Sequence, residues 1–188
     1  MQLSEGERLI TLMLCDLFRH LKVESGIDPD FVSAAIHGGH LWALEWEYTG
    51  IFHGDDSKDP ELGETGDILT MWSVLEHAYS SLNDVGRAKF KEAVGDWPND
   101  VRFRGFDGNN ESRYMSIASF MINKMDRFAE FKGRNLNAHM PTLEMHRRML
   151  AVFNPLFSAG IGYGGLSFED FVAIVKEQVH PENRGKAA

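Results

Sequence analysis

The chain has 188 residues, 43% of them hydrophobic, with 13 Phe and 9 Met, which is ample for a packed core and too apolar for a disordered chain. Its formal charge of −9 argues against nucleic acid and anionic membranes as partners, because polyanions are held by Lys and Arg. Cys15 is the single cysteine, so an intrachain disulfide and a thiolate metal cluster are both excluded; Met13, Leu14 and Leu17 around it suggest a small buried thiol. The N-terminus lacks a basic start followed by an apolar run, and no apolar stretch approaches the roughly 20 residues needed to cross a bilayer, so a cytoplasmic protein is the expectation.

The chain reads as helices almost throughout. Ser4 and Glu7 form a capping box that opens a helix through about His20. Asp28 caps a short helix with Pro29 at its first position, ended by Gly38-Gly39. Leu41, Leu44, Tyr48, Ile51 and Phe52 mark the next helix, with Trp42 and Trp46 on a flanking face. His53 to Glu64 is polar and predicts a loop, whose acids Asp55, Asp56, Asp59 and Glu61 read as solvated surface. Ile68, Trp72, Leu75, Tyr79 and Leu82 line a long helix, and Val85 to Val94 a shorter one.

Asp96 to Asn109 reads as irregular or extended, with room for a short strand at Val101–Phe103 but no obvious partner for it. Tyr114, Ile117, Met121, Met125 and Phe128 recur at helical spacing and predict one helix from Asn110 to Phe131. Pro141 starts the next helix, with a stripe of Leu143, His146, Leu150 and Phe153, and Pro155 stops it. Gly160 to Gly165 reads as a glycine-rich connector, Ser167 caps a final helix from Phe168 to Gln178, and Pro181 to Ala188 reads as a frayed end.

Gly105-Phe106-Asp107, Glu111, Arg113-Tyr114, Phe120-Met121, Asn123, Arg127-Phe128 and Phe131, followed by Asn137-Ala138, Pro141 and Arg148-Met149-Leu150, together resemble the YfbU family of bacterial helical proteins. The start, Glu7-Arg8-Leu9-Ile10, and the stretch Gly39 to Phe52 are similar to that family more loosely. Gly54 to Gly63 looks like an insertion, and His146 stands where the family more often has an aromatic. The resemblance implies an all-α fold, an N-terminal helical hairpin packed on a larger helical bundle, and self-association into a homo-oligomer. It implies no assigned chemistry. The expected division is residues 1–58 as the hairpin region, 59–158 as the helical core carrying the motif, and 159–188 as the connector and last helix.

Two carboxylates and an arginine, Asp107, Glu111 and Arg113, gather at the start of the best helix, where they could grip a ligand or serve as caps and ion pairs. Counted from Asp107, a calcium loop fails, with Ser112 where Gly is needed and Ala118 where Glu is needed. Asn123 and Arg127 stand one turn apart and could present an amide and a guanidinium to an anion. Arg134-Asn135-Leu136-Asn137-Ala138-His139 resembles the Arg-x4-His motif of HEPN-type ribonucleases, which would make Arg134 and His139 a metal-independent catalytic pair. Pro141 argues against that geometry by setting His139 ahead of the helix. His37 and His40 lack a third metal ligand. The expectation is therefore a non-catalytic module, without metal or cofactor, that binds a small molecule or a protein. Its candidate surface is Asp107, Glu111, Arg113, Asn123, Arg127, His139 and Arg148, with Trp42, Trp46 or Phe157 as contacts for self-association.

Overall fold

In the computed structural model, residues 2–52, 59–95, 101–160 and 165–183 are described. Among them the chain forms eight α-helices and no strand. The all-α expectation therefore holds. Residues 53–58 of the predicted loop, part of the irregular stretch (96–100), most of the glycine connector (161–164) and the last five residues of the frayed end lie outside the described residues.

Helix α1, Glu5–Leu21, starts from the Ser4/Glu7 capping box, in which each side chain bonds the other's backbone. It lies against α2, Pro29–Gly38, whose N-cap is Asp28. The third helix, α3, spans Leu41–Glu47 and stops before the predicted Phe52. Tyr48 leaves helical geometry there, and its hydroxyl accepts the Asp28 N–H at 3.0 Å, pinning the start of α2. The fourth helix, α4, spans Pro60–Ser80 and so opens inside the stretch through Glu64 that reads as loop. Asp59 caps it and Pro60 takes its first position, the same device as Asp28-Pro29. The acids of 59–61 are thus a helix start and not loop. Helix α5 follows at Asp84–Val94.

The predicted helix from Asn110 to Phe131 is cut short. Helix α6 runs Ser112–Asn123, and tight turns then lead into one 3-10 turn at Ala129–Phe131. Asp126 and Phe128 both adopt positive φ, and the Arg127 N–H reaches back to the Met121 carbonyl. No Gly or Pro marks the break. The reversal seats Phe131 in the core beside Phe103, and tertiary packing overrides the local periodicity. Helix α7 runs Leu143–Ser158, with Pro155 inside its last turn and not at its end. There a missing N–H removes one bond near a terminus, a tolerable loss. Helix α8, Phe168–Lys176, is capped by Ser167 and packs on α5 and α7.

The core centres on α4, which packs against both α6 and α7 through Ile68, Leu69, Met71, Trp72 and Leu75. The N-terminal helices attach through Phe120 of α6, whose ring meets Phe31, His40 and Trp42. The extended segment finds the partner that sequence could not name. Phe106 makes an isolated parallel bridge to Asn137, its N–H donating to Leu136 O and its carbonyl accepting from Ala138 N–H, both at 2.9 Å. Gly105, at φ +86°, allows this approach, since a Cβ there would collide with the Leu136 carbonyl. Gly105→Ala is therefore expected to lower stability by about 3 kcal/mol or more, read as a lower urea midpoint. A midpoint within error of wild type would mean that the bridge can move aside freely.

Candidate functional site

Four buried polar residues, Asp107, Glu111, Thr142 and His146, surround the bridge. Thr142 offers α7 no side-chain cap of its own. Glu111 supplies it instead from 31 residues away: its Oε1 accepts the Thr142 N–H at 2.9 Å and the Leu143 N–H at 2.8 Å. Its Oε2 accepts the Asp107 N–H at 2.8 Å and stands 3.0 Å from the Thr142 hydroxyl. Asp107 in turn accepts from the Asn109 N–H at 3.1 Å and the Asn110 side-chain amide at 2.5 Å. These two bonds, that from Asn110 foremost, hold its carboxyl below the usual range. His146 completes the group. Its Nδ1 accepts the Trp72 indole N–H at 3.1 Å, so the neutral ring carries its proton on Nε2, 3.2 Å from the Gly105 carbonyl. Burial pushes its pKa down to about 4.

A second polar set clasps α4. Arg113 pairs with Asp59 at 2.5 Å and with Glu61. Arg147 grips Glu64 through two nitrogens, at 2.7 and 3.0 Å, and the Tyr114 hydroxyl donates to the same carboxylate at 2.5 Å. The Arg147 bonds keep the Glu64 carboxyl low, while burial ahead of the Glu64 contact pushes Tyr114 up to about 12. These bonds tie α4, α6 and α7 together.

Of the residues singled out from sequence, Asp107 and Glu111 share one buried network. Arg113 faces the α4 start. Asn123 donates to Ser119 Oγ at 3.2 Å, and the Arg127 guanidinium covers the Trp46 ring at 5.0 Å. Arg148 reaches the Glu177 carbonyl at the end of α8. His139 is exposed, with positive φ, and its N–H donates to Asn137. The Arg134 guanidinium is held bidentately by Glu76, both bonds at 2.8 Å, and lies over the Phe131 ring. It borders an open groove of about 590 Å³ together with Ser119, Asn123, Lys124 and Asn135; His139 is not among the residues that line it. Nothing in this placement supports the ribonuclease alternative. Among the described residues no group of three His, Cys, Asp or Glu is placed to hold a metal ion.

The feature that sequence reading missed is on α1. Leu9, Ile10, Met13, Leu14, Leu17 and Leu21 are 48–63% exposed, on the side of the helix away from α2. The opposite side, with Leu12, Cys15 and Phe18, faces the fold, and burial pushes the Cys15 thiol up. Val23 and Ile27, between α1 and α2, are exposed as well. The signal was legible: α1 carries two apolar stripes where packing on one neighbour requires one. Of the aromatics expected at an interface, Trp42 is buried in the core and so is withdrawn, whereas Trp46 and Phe157 remain partly exposed.

These elements define an all-helical protein built around one central helix. The YfbU domain matches residues 1–176, and the chain belongs to that family. It is similar to the UPF0304 protein MJECS11 of Methanocaldococcus jannaschii, 26% identical over 170 residues that cover 83% of this chain and 90% of that protein. No described helix is long and apolar enough to cross a membrane.

Proposed function

We propose that the protein is a non-catalytic docking module that binds a protein partner through the exposed face of α1. One observation carries this reading: six large apolar side chains on a single helix, each about half exposed or more, where isolated surface hydrophobics are the ordinary pattern. The polar side chains that could have served chemistry support it from the other direction. Glu111, Asp107, Arg134 and His146 have their bonding capacity turned inward to backbone, caps and an ion pair, and Arg147, at the surface, is taken up by Glu64 and Glu144.

The protein carries its own control for a test. Met13 on α1 and Met140 on the loop before α7 are comparably exposed, at 63% and 60%. Mild peroxide treatment of cells that make the protein, followed by mass spectrometry, is expected to oxidise Met13 several-fold more slowly than Met140. Equal rates would mean that the α1 face stands bare in the cell, and the docking reading would be lost.

A further inference from the structure

Resting on that reading, we infer that the partner on the α1 face is a second copy of this chain, with the two α1 helices packed antiparallel about a two-fold axis. Ile10, Leu14, Leu17 and Leu21 follow one another at intervals of four, three and four, the a/d seam of a helix pair. Turned antiparallel, this seam matches itself: Ile10 lies opposite Leu21 of the other copy and Leu14 opposite Leu17. A two-fold interface demands this, since whatever residue i touches must touch i in return. Leu9 and Met13 widen the seam on one flank.

The first turn of α1 carries Glu5 and Glu7, and its last turn Arg19 and His20 with Lys22 as the cap; Arg19 is turned to Asp16 and to Asp30 of α2, which leaves His20 and Lys22 at the basic end. Antiparallel packing sets the acidic start of each helix over the basic end of the other and opposes the helix dipoles, while parallel packing would stack like on like. The helix with its cap is locally balanced, with Glu5, Glu7 and Asp16 against Arg8, Arg19 and Lys22. Two such faces therefore meet without the repulsion that the chain's overall charge of −9 would suggest. The same balance disfavours an anionic lipid surface, which selects Lys and Arg along the polar side of an amphipathic helix.

Six side chains at these exposures, closed against six identical ones, remove on the order of 1,200 Å² from water, the lower end of stable specific interfaces.

Light scattering on the purified protein at micromolar concentration is expected to return twice the chain mass. Leu14→Glu with Leu17→Glu should return the single-chain mass at unchanged helix content, because both positions are half exposed and contribute little to folding. Direction is read by cross-linking in a Cys15→Ala background under mild oxidation. Ile10→Cys and Leu21→Cys proteins, mixed, should link to each other, and neither should link to itself. A monomeric wild-type protein overturns the proposal, as does a dimer that survives the double Glu variant. Self-linking of either cysteine variant overturns the antiparallel arrangement. A purified monomer whose Met13 is nonetheless protected in cells removes the second copy and leaves the docking reading standing; an unprotected Met13 removes both.

Discussion

Replacing Glu111 by Ala is expected to lower stability by about 4 kcal/mol, a large part of the whole stability of a domain. The figure follows from what the carboxylate holds. It accepts the N–H groups of Asp107, Thr142 and Leu143, and the last two are the otherwise uncapped start of α7. Truncation leaves these donors buried without acceptors, at roughly 1–3 kcal/mol each before relaxation. Water entering the space recovers part of that, which keeps the total below the simple sum. Glu111→Gln should cost less, about 2 kcal/mol, since its amide oxygen still accepts at the α7 start while its NH₂ faces the Asp107 N–H, donor against donor. Urea denaturation at neutral pH measures both. A loss under about 1 kcal/mol for the Ala variant would mean that solvent caps α7 equally well and that the network is incidental.

The legible parts of the fold were those whose cause is local. Ser4/Glu7, Asp28-Pro29 and Ser167 each carry a helix start within four residues, and each sits where the spacing put it. What escaped prediction has a distant cause. The cap of α7 is a glutamate 31 residues upstream, invisible to any local rule. The early end of α6 is set by the seat that Phe131 takes beside Phe103 and not by a breaking residue. Pro60 is a different case: the Asp-Pro signal was present, but the run of acids and glycines around it outweighed it. The functional surface shows the deepest limit. An apolar stripe on a helix has the same sequence whether it covers a core or meets a partner, and only the placement of α2 against the other side of α1 tells which stripe is left over. Of the polar residues collected around the motif, Asp107 and Glu111 turn inward to one network, while Arg127 and Arg148 serve other contacts.

His146 is expected to make the fold acid-sensitive in a window where carboxylates alone would not. The ring is fully buried, and its neutral form is fixed by two bonds, one accepted from Trp72 and one donated to Gly105. Protonation would turn Nδ1 into a donor facing the indole N–H and bury a charge. Burial thus depresses the folded pKa from 6.5 to about 4, against the opposing pull of the Gly105 carbonyl first and then of Glu111 and Glu64. In the unfolded chain the same histidine titrates near its ordinary value. Between these two values the unfolded state binds the extra proton, so stability rises with pH across the window and falls as pH drops from about 6.5 towards 4. Going from pH 7 to pH 5 should lose about 2 kcal/mol through this one group, at about 1.36 kcal/mol per unit below the unfolded pKa. Glu64 and Asp107, whose folded values are lowered, contribute losses only further down, as pH falls through the carboxylate range. Urea midpoints at the two pH values separate the effects. His146→Gln retains an acceptor and donor but cannot titrate, so it should be less stable than wild type at pH 7 and should lose much of the wild-type slope between pH 7 and pH 5, the remainder coming from His40, whose pKa burial also lowers. If that variant kept the full wild-type slope, the acid sensitivity would belong to another group and the assigned tautomer would lose its consequence.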